Sequence, residues 1–133
     1  MSADLPFGIN KEPVSWATHF AGFLASVIGL MILVFETWGD APKLMAMSFY
    51  GLSVVSVFGA SSLYHFFDLG EDGNRWLRRI DHCAIFAMLA GCYTPVVLHL
   101  QDGLDRVALL GLVYVLCLAG MIFKIVFGVK NGF

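Results

Sequence analysis

Ser61 and His65 stand four residues apart in the string SSLYH, and Asp81 and His82 stand side by side at the start of DHCAIF. On a helix the first two share one face, a turn from each other. A hydroxyl, neutral imidazoles and a carboxylate held at one depth make up the ligand chemistry of a zinc site. There nitrogen atoms hold the ion, and a carboxylate binds it or orients a metal-bound water. The flanking residues are apolar, and an ionisable group inside or at the edge of a membrane helix is costly enough that its default reading is functional. A plainer reading stands beside it. Asp81 could cap a helix by accepting orphan N–H bonds, while His65 and His82 hydrogen-bond at the headgroup boundary. Spacing does not choose between the two.

The elements that must position these groups are four apolar segments, at about 16–35, 44–67, 81–100 and 107–127. Each approaches the ~20 residues a helix needs to cross a hydrocarbon core about 30 Å thick. Residues 68–80, beginning DLGEDGNRWLRR, are expected as a loop, with Trp76 an interfacial anchor. A hairpin folded at the midpoint of that loop, near Asn74, brings His65 level with Asp81 to Cys83. His19 lies one turn into the first segment, at a similar depth. Pro95 is expected to kink the third helix, which membrane helices tolerate. His99 falls at the far end and is left out of the site, and Lys124 reads as a snorkelling anchor.

Of the 133 residues, 59% are hydrophobic and 14% charged, too little polar surface to cover a water-soluble globule. A formal net charge of -2 carries no basic excess for nucleic acid. The fold expected is all-α, a polytopic transmembrane helical bundle forming one membrane domain over 1–133. Lys11, Arg75, Arg78, Arg79, Lys124 and Lys130 flank one side of the helices, and Lys43 and Arg106 the other. The positive-inside rule then puts the N-terminus, and the segment 130–133, in the cytoplasm. Cys83, Cys92 and Cys117 all lie in apolar runs without disulfide or metal spacing and read as packing residues. No basic n-region or A-x-A site near the start suggests a cleaved signal peptide.

Taken as strings, SSLYH at 61–65 and DHCAIFAMLAGCYTP at 81–95 resemble the hemolysin III family, bacterial relatives of the progestin and adiponectin receptors. That family pairs S-x-x-x-H on its second helix with an Asp-His opening the third and an AG-[ST]-YTP run beyond it. Glu12, Ser15, Thr18, His19 and Gly22 resemble its first-helix pattern E-x-x-N-x-x-[ST]-H-x-x-G. Two positions depart: Cys92 stands for Ser or Thr, and Ser15 for Asn.

The resemblance implies a seven-helix protein of the bacterial cell membrane with the N-terminus inside. It implies a zinc ion near the cytoplasmic face, bound by His65, with Ser61 and Asp81 close to the metal or its water. The wider superfamily includes metal-dependent amide hydrolases of lipids, and bacterial members carry a name for haemolytic, pore-like activity. Three functions are therefore expected to compete: a zinc-dependent hydrolase of membrane lipids, a cytolytic pore former, and a receptor-like regulator of membrane homeostasis. The family's remaining zinc ligands form H-x-x-x-H on a seventh helix, and this sequence contains no H-x-x-x-H. The expectation is a truncated piece whose site is completed by missing C-terminal helices. The alternatives are a natural truncation that borrows ligands from another chain, as in a homo-oligomer, or has lost the metal, with His19 or His82 as substitute ligands a lesser one.

Overall fold

A computed structural model describes residues 8, 9 and 11–128. Lys130 and the segment 131–133, which entered the charge and end-of-chain readings, lie outside them. Among the described residues four helices follow one another: α1 (Pro13–Glu36), α2 (Ala41–Phe66), α3 (Gly70–Leu100) and α4 (Gly103–Val126). Two short strands, β1 (Gly8–Ile9) and β2 (Phe67–Asp68), pair antiparallel with Gly8 opposite Asp68 and Ile9 opposite Phe67. All four helices are long and apolar enough to cross a membrane. The chain is an all-α transmembrane helical bundle.

Local chemistry sets the helix ends. Pro13 occupies the first turn of α1, and Pro42 that of α2, where a missing N–H costs nothing. Asp40 caps α2 by accepting from the Lys43 N–H at 3.3 Å. Its carboxyl is held below the ordinary carboxylate range by the Lys43 ammonium, 3.1 Å away, and then by that same N–H. Gly39, at φ +97°, makes the left-handed turn that reverses the chain between α1 and α2.

Neighbouring helices pack in sequence order, α1 on α2, α2 on α3 and α3 on α4. Most buried positions are small, among them Ala46, Ser53, Ala60, Ser61, Ser62, Ala84, Ala90 and Thr94, with Val97 the bulkier exception. Large apolar side chains such as Ile28, Phe35, Leu112 and Phe123 point outward. Lipid tails are as apolar as leucine, so helices in a bilayer gain from close backbone approach over small residues rather than from hiding large ones. Gly91 of α3 shows how close. A Cβ there would collide with the Ser53 side chain of α2. Between α3 and α4, Thr94 Oγ1 and Tyr114 OH share a 2.6 Å hydrogen bond. The three cysteines are free, and Cys117 is buried.

One expectation is corrected. Residues 68–80 are not a loop: apart from Asp68 and Leu69 they form the first turns of α3, which starts eleven residues before Asp81. Hydropathy registers what lipid accepts, whereas helix formation needs only good helix formers and a compatible start. Glu71 and Asp72 sit in the first turn, where the helix dipole favours anions, and Asp72 pairs with Arg75. The 31 residues of α3 extend about 46 Å at 1.5 Å per residue, well beyond a ~30 Å hydrocarbon core. Its polar start therefore stands clear of the apolar layer, and Asp81 lies inside the helix rather than capping it.

Candidate functional site

The register of α2 against α3 fixes which groups share a depth. Ser53 meets Gly91, and Ala60 and Ala84 line one cavity. Followed residue by residue, that pairing puts Ser61 level with Cys83 and His65 level with Arg79. Asp81 then lies two residues, about 3 Å along the axis, from the level of His65. Ser61 is buried, and its hydroxyl has no hydrogen-bond partner among the described residues, whereas its neighbour Ser62 donates to Phe58 O at 2.6 Å. Asp81 is half-buried and forms no hydrogen bond or ion pair with Ser61 or His65.

What does meet His65 comes from the N-terminal side. The β1–β2 pairing continues as Lys11 N–H donating to Phe66 O at 3.1 Å and Glu12 N–H donating to His65 O at 3.0 Å. Residues 8, 9, 11 and 12 thus strap the end of α2, and the Lys11 ammonium lies 4.1 Å from the centre of the Tyr64 ring. Glu12 Oε2 stands 2.5 Å from His65 Nδ1. Only 17% of the His65 side chain is exposed, against 46% for Glu12. The His19 ring lies 5.0 Å from that of His65, centre to centre, and its Nδ1 is 2.7 Å from Ser15 O.

These contacts select tautomers. A carbonyl oxygen only accepts, so His19 Nδ1 carries a proton, and a carboxylate beside His65 Nδ1 favours the proton there too. In each neutral ring the remaining lone pair then sits on Nε2. A carboxylate on the far nitrogen is the usual partner of a ligating histidine, because it holds the ring in place and raises its basicity. Glu12 is the partner of His65 that spacing did not assign. Its signal was present, since Glu12 and His19 lie seven residues apart, but its target, 53 residues further on, was not.

A zinc centre needs at least three protein ligands. Among the described residues no group of three His, Cys, Asp or Glu side chains is arranged to hold a metal ion. Taken alone, these four helices do not fit a complete zinc centre. His82 of α3 is half-buried beside Asp81, where the apolar part of that helix begins. His99 is exposed at the opposite end, lining a cavity of about 250 Å³ with Lys43 and Arg106.

The family model described as Haemolysin-III related matches residues 7–131. A hemolysin-3 homolog of Bacillus subtilis (strain 168) is 32% identical over 123 residues, covering 91% of this chain and 57% of the relative. The hemolysin-3 of Bacillus cereus is 31% identical over 121 residues, covering 90% and 55%. The chain therefore spans about half the length of these curated relatives. No solved structure matches.

Proposed function

The chain belongs to the haemolysin-III related family, and from that premise we propose that it carries one half of a metal-dependent site acting on membrane lipids. The observation that supports this reading is the Glu12–His65 pair, a carboxylate bonded to Nδ1 of a largely buried imidazole one turn from a buried serine. In this reading His65 Nε2 is a zinc ligand, and Ser61 and Asp81 stand by the metal or its water. The other ligands come from residues outside the four helices or from a second copy. Zinc bound in such a site supplies Lewis acidity and a water nucleophile at neutral pH, chemistry suited to an amide or ester carbonyl.

The residues here have definite parts in this reading. Glu12 keeps the His65 proton on Nδ1 and the ring at one angle. The Ser61 hydroxyl is free to donate to a substrate oxygen. Trp16, Phe20, Phe23, Leu63 and Phe66 line an open apolar groove of about 400 Å³ between α1 and α2, through which an acyl chain reaches this end of the bundle from the bilayer. The protein sits in the cell membrane, and the side carrying His65, Arg75, Arg78, Arg79 and Lys124 faces the cytoplasm.

The test pairs two measurements on the purified protein: zinc by elemental analysis and release of fatty acid from a ceramide. In an assembly that supplies the remaining ligands His65→Ala is expected to lose both, whereas the 133-residue form alone is expected to hold no stoichiometric zinc. Equal hydrolysis by wild type and His65→Ala would overturn the enzymatic reading. One zinc per chain retained by the 133-residue form would overturn the claim that further ligands lie elsewhere. The name of the Bacillus cereus relative favours a second reading, membrane permeabilisation. Dye leakage from liposomes that survives chelation and the His65→Ala change would select it.

A further inference from the structure

The polar start of α3 stands over a groove that the histidine site does not use. Arg79 lines it, and Arg79 Nε is fully enclosed without a hydrogen-bond partner. The Arg79 guanidinium lies 4.5 Å from the centre of the Trp76 ring, one turn earlier on the helix. Both residues belong to a cavity of about 370 Å³ between α2, α3 and α4, whose walls include Ala60, Cys83, Ala87 and Met121. From Arg79 to Ala87 it runs about 12 Å along the helix axis.

Depth identifies the occupant. Twenty residues counted back from the end of α3 at Leu100 reach Asp81, and about that many cross the hydrocarbon layer. Arg79 then lies just outside it, at the level of lipid phosphates, with Trp76 in the interface that tryptophan prefers. The apolar part of the groove lies directly beneath, at the level of acyl chains. The terminal guanidinium nitrogens of Arg79, like Nε, have no hydrogen-bond partner among the described residues but are not enclosed as Nε is. A packed apolar helix would cover them at a desolvation cost, whereas a phosphate oxygen accepts from them. Arg78, next to Arg79 on α3, and Lys124, between the groove-lining Met121 and Ile125 of α4, add positive charge at this end.

We propose that this groove is a binding site for an anionic phospholipid, one acyl chain lying between α2, α3 and α4 and the phosphate accepting from Arg79. One cation near the surface enriches an anionic lipid about fivefold. The experiment uses the full chain with Trp16→Phe and Trp38→Phe, leaving Trp76 as its tryptophan, in phosphatidylcholine nanodiscs. A minor fraction of either phosphatidylglycerol or phosphatidylcholine carries bromine high on its acyl chains. Brominated phosphatidylglycerol is expected to quench Trp76 at about one fifth of the mole fraction that brominated phosphatidylcholine needs. Arg79→Gln should remove that preference, and Ala87→Phe, which fills the groove and leaves Arg79 in place, should weaken it. If Arg79→Gln loses helical circular dichroism, Ala87→Phe decides alone. Equal quenching by the two lipids overturns the proposal, as does a preference unchanged in a folded variant. So does a Trp76 shielded from both lipids, which would mean that another helix or a second copy covers the groove.

Discussion

Replacing Glu12 by alanine removes the carboxylate from His65 while leaving the backbone of the strap free to pair as before. The bond lost is short, 2.5 Å between Oε2 and Nδ1, and charge-assisted. Such bonds contribute about 1.5–3 kcal/mol when well buried. Glu12 is nearly half exposed, so solvent competes for its carboxylate and the contribution falls to about 1 kcal/mol. That energy holds down a segment whose other ties among the described residues include the β1–β2 pair, two further backbone bonds and the Lys11–Tyr64 contact. Local opening of the strap should become about fivefold more frequent. Hydrogen–deuterium exchange in nanodiscs reads this directly, because the Lys11 and Glu12 amides donate to Phe66 O and His65 O and exchange only when the strap lifts. In Glu12→Ala those two amides should exchange about fivefold faster, with amides at the centre of α3 unchanged. Unchanged exchange at Lys11 and Glu12 would refute the inference that the carboxylate anchors the segment. Equal acceleration throughout the bundle would show a global role instead.

Gly91→Ala drives a methyl group into Ser53 and should destabilise the bundle by about 1–3 kcal/mol in unfolding from mixed micelles, with partial recovery when Ser53→Gly is added. Thr94→Val and Tyr114→Phe each break the α3–α4 side-chain bond. Each should cost about 0.6 kcal/mol in the same assay, and the double variant no more than the larger single, because one interaction is shared. Asp68 titrates below its ordinary 3.8 because the Asn74 amide donates to its carboxylate at 2.8 Å, with the Gly70 N–H a second donor. A lowered folded value means that its stabilisation of the α2–α3 turn is complete above pH 3.8 and fades as pH falls through the folded value. Exchange of the Leu69 and Gly70 amides should rise on acidification through that range in wild type, and Asp68→Asn should flatten the response.

The membrane crossings were legible because each is a one-dimensional property of the chain. A run of about 20 apolar residues has few fates other than a bilayer span. Segment ends placed at 16–35, 44–67 and 107–127 differ from α1, α2 and α4 by four residues or fewer. The third differs by eleven at its start, where Gly70 to Ile80 carry the charge of a loop but the backbone of a helix. Hydropathy is silent about backbone conformation once the chain leaves lipid. The depth shared by His65 and Asp81 rests on the α2–α3 register rather than on a loop midpoint near Asn74, since the turn itself is formed by Phe67 to Leu69.

By itself the sequence determined that four helices span, that Ser61 and His65 share a face, and that positive charge gathers at one end. Each follows from composition and from helical periodicity along a single segment. Only the tertiary structure decided what His65 touches. The Glu12 carboxylate reaches it because a two-residue strand pair folds the N-terminal segment across the end of α2, and no local preference records a contact spanning 53 residues. Tertiary structure likewise set Arg79 and Trp76 over an apolar groove, because that groove exists only where α2, α3 and α4 meet. A side chain's chemistry is carried in the sequence, but its partners are set by the path of the chain.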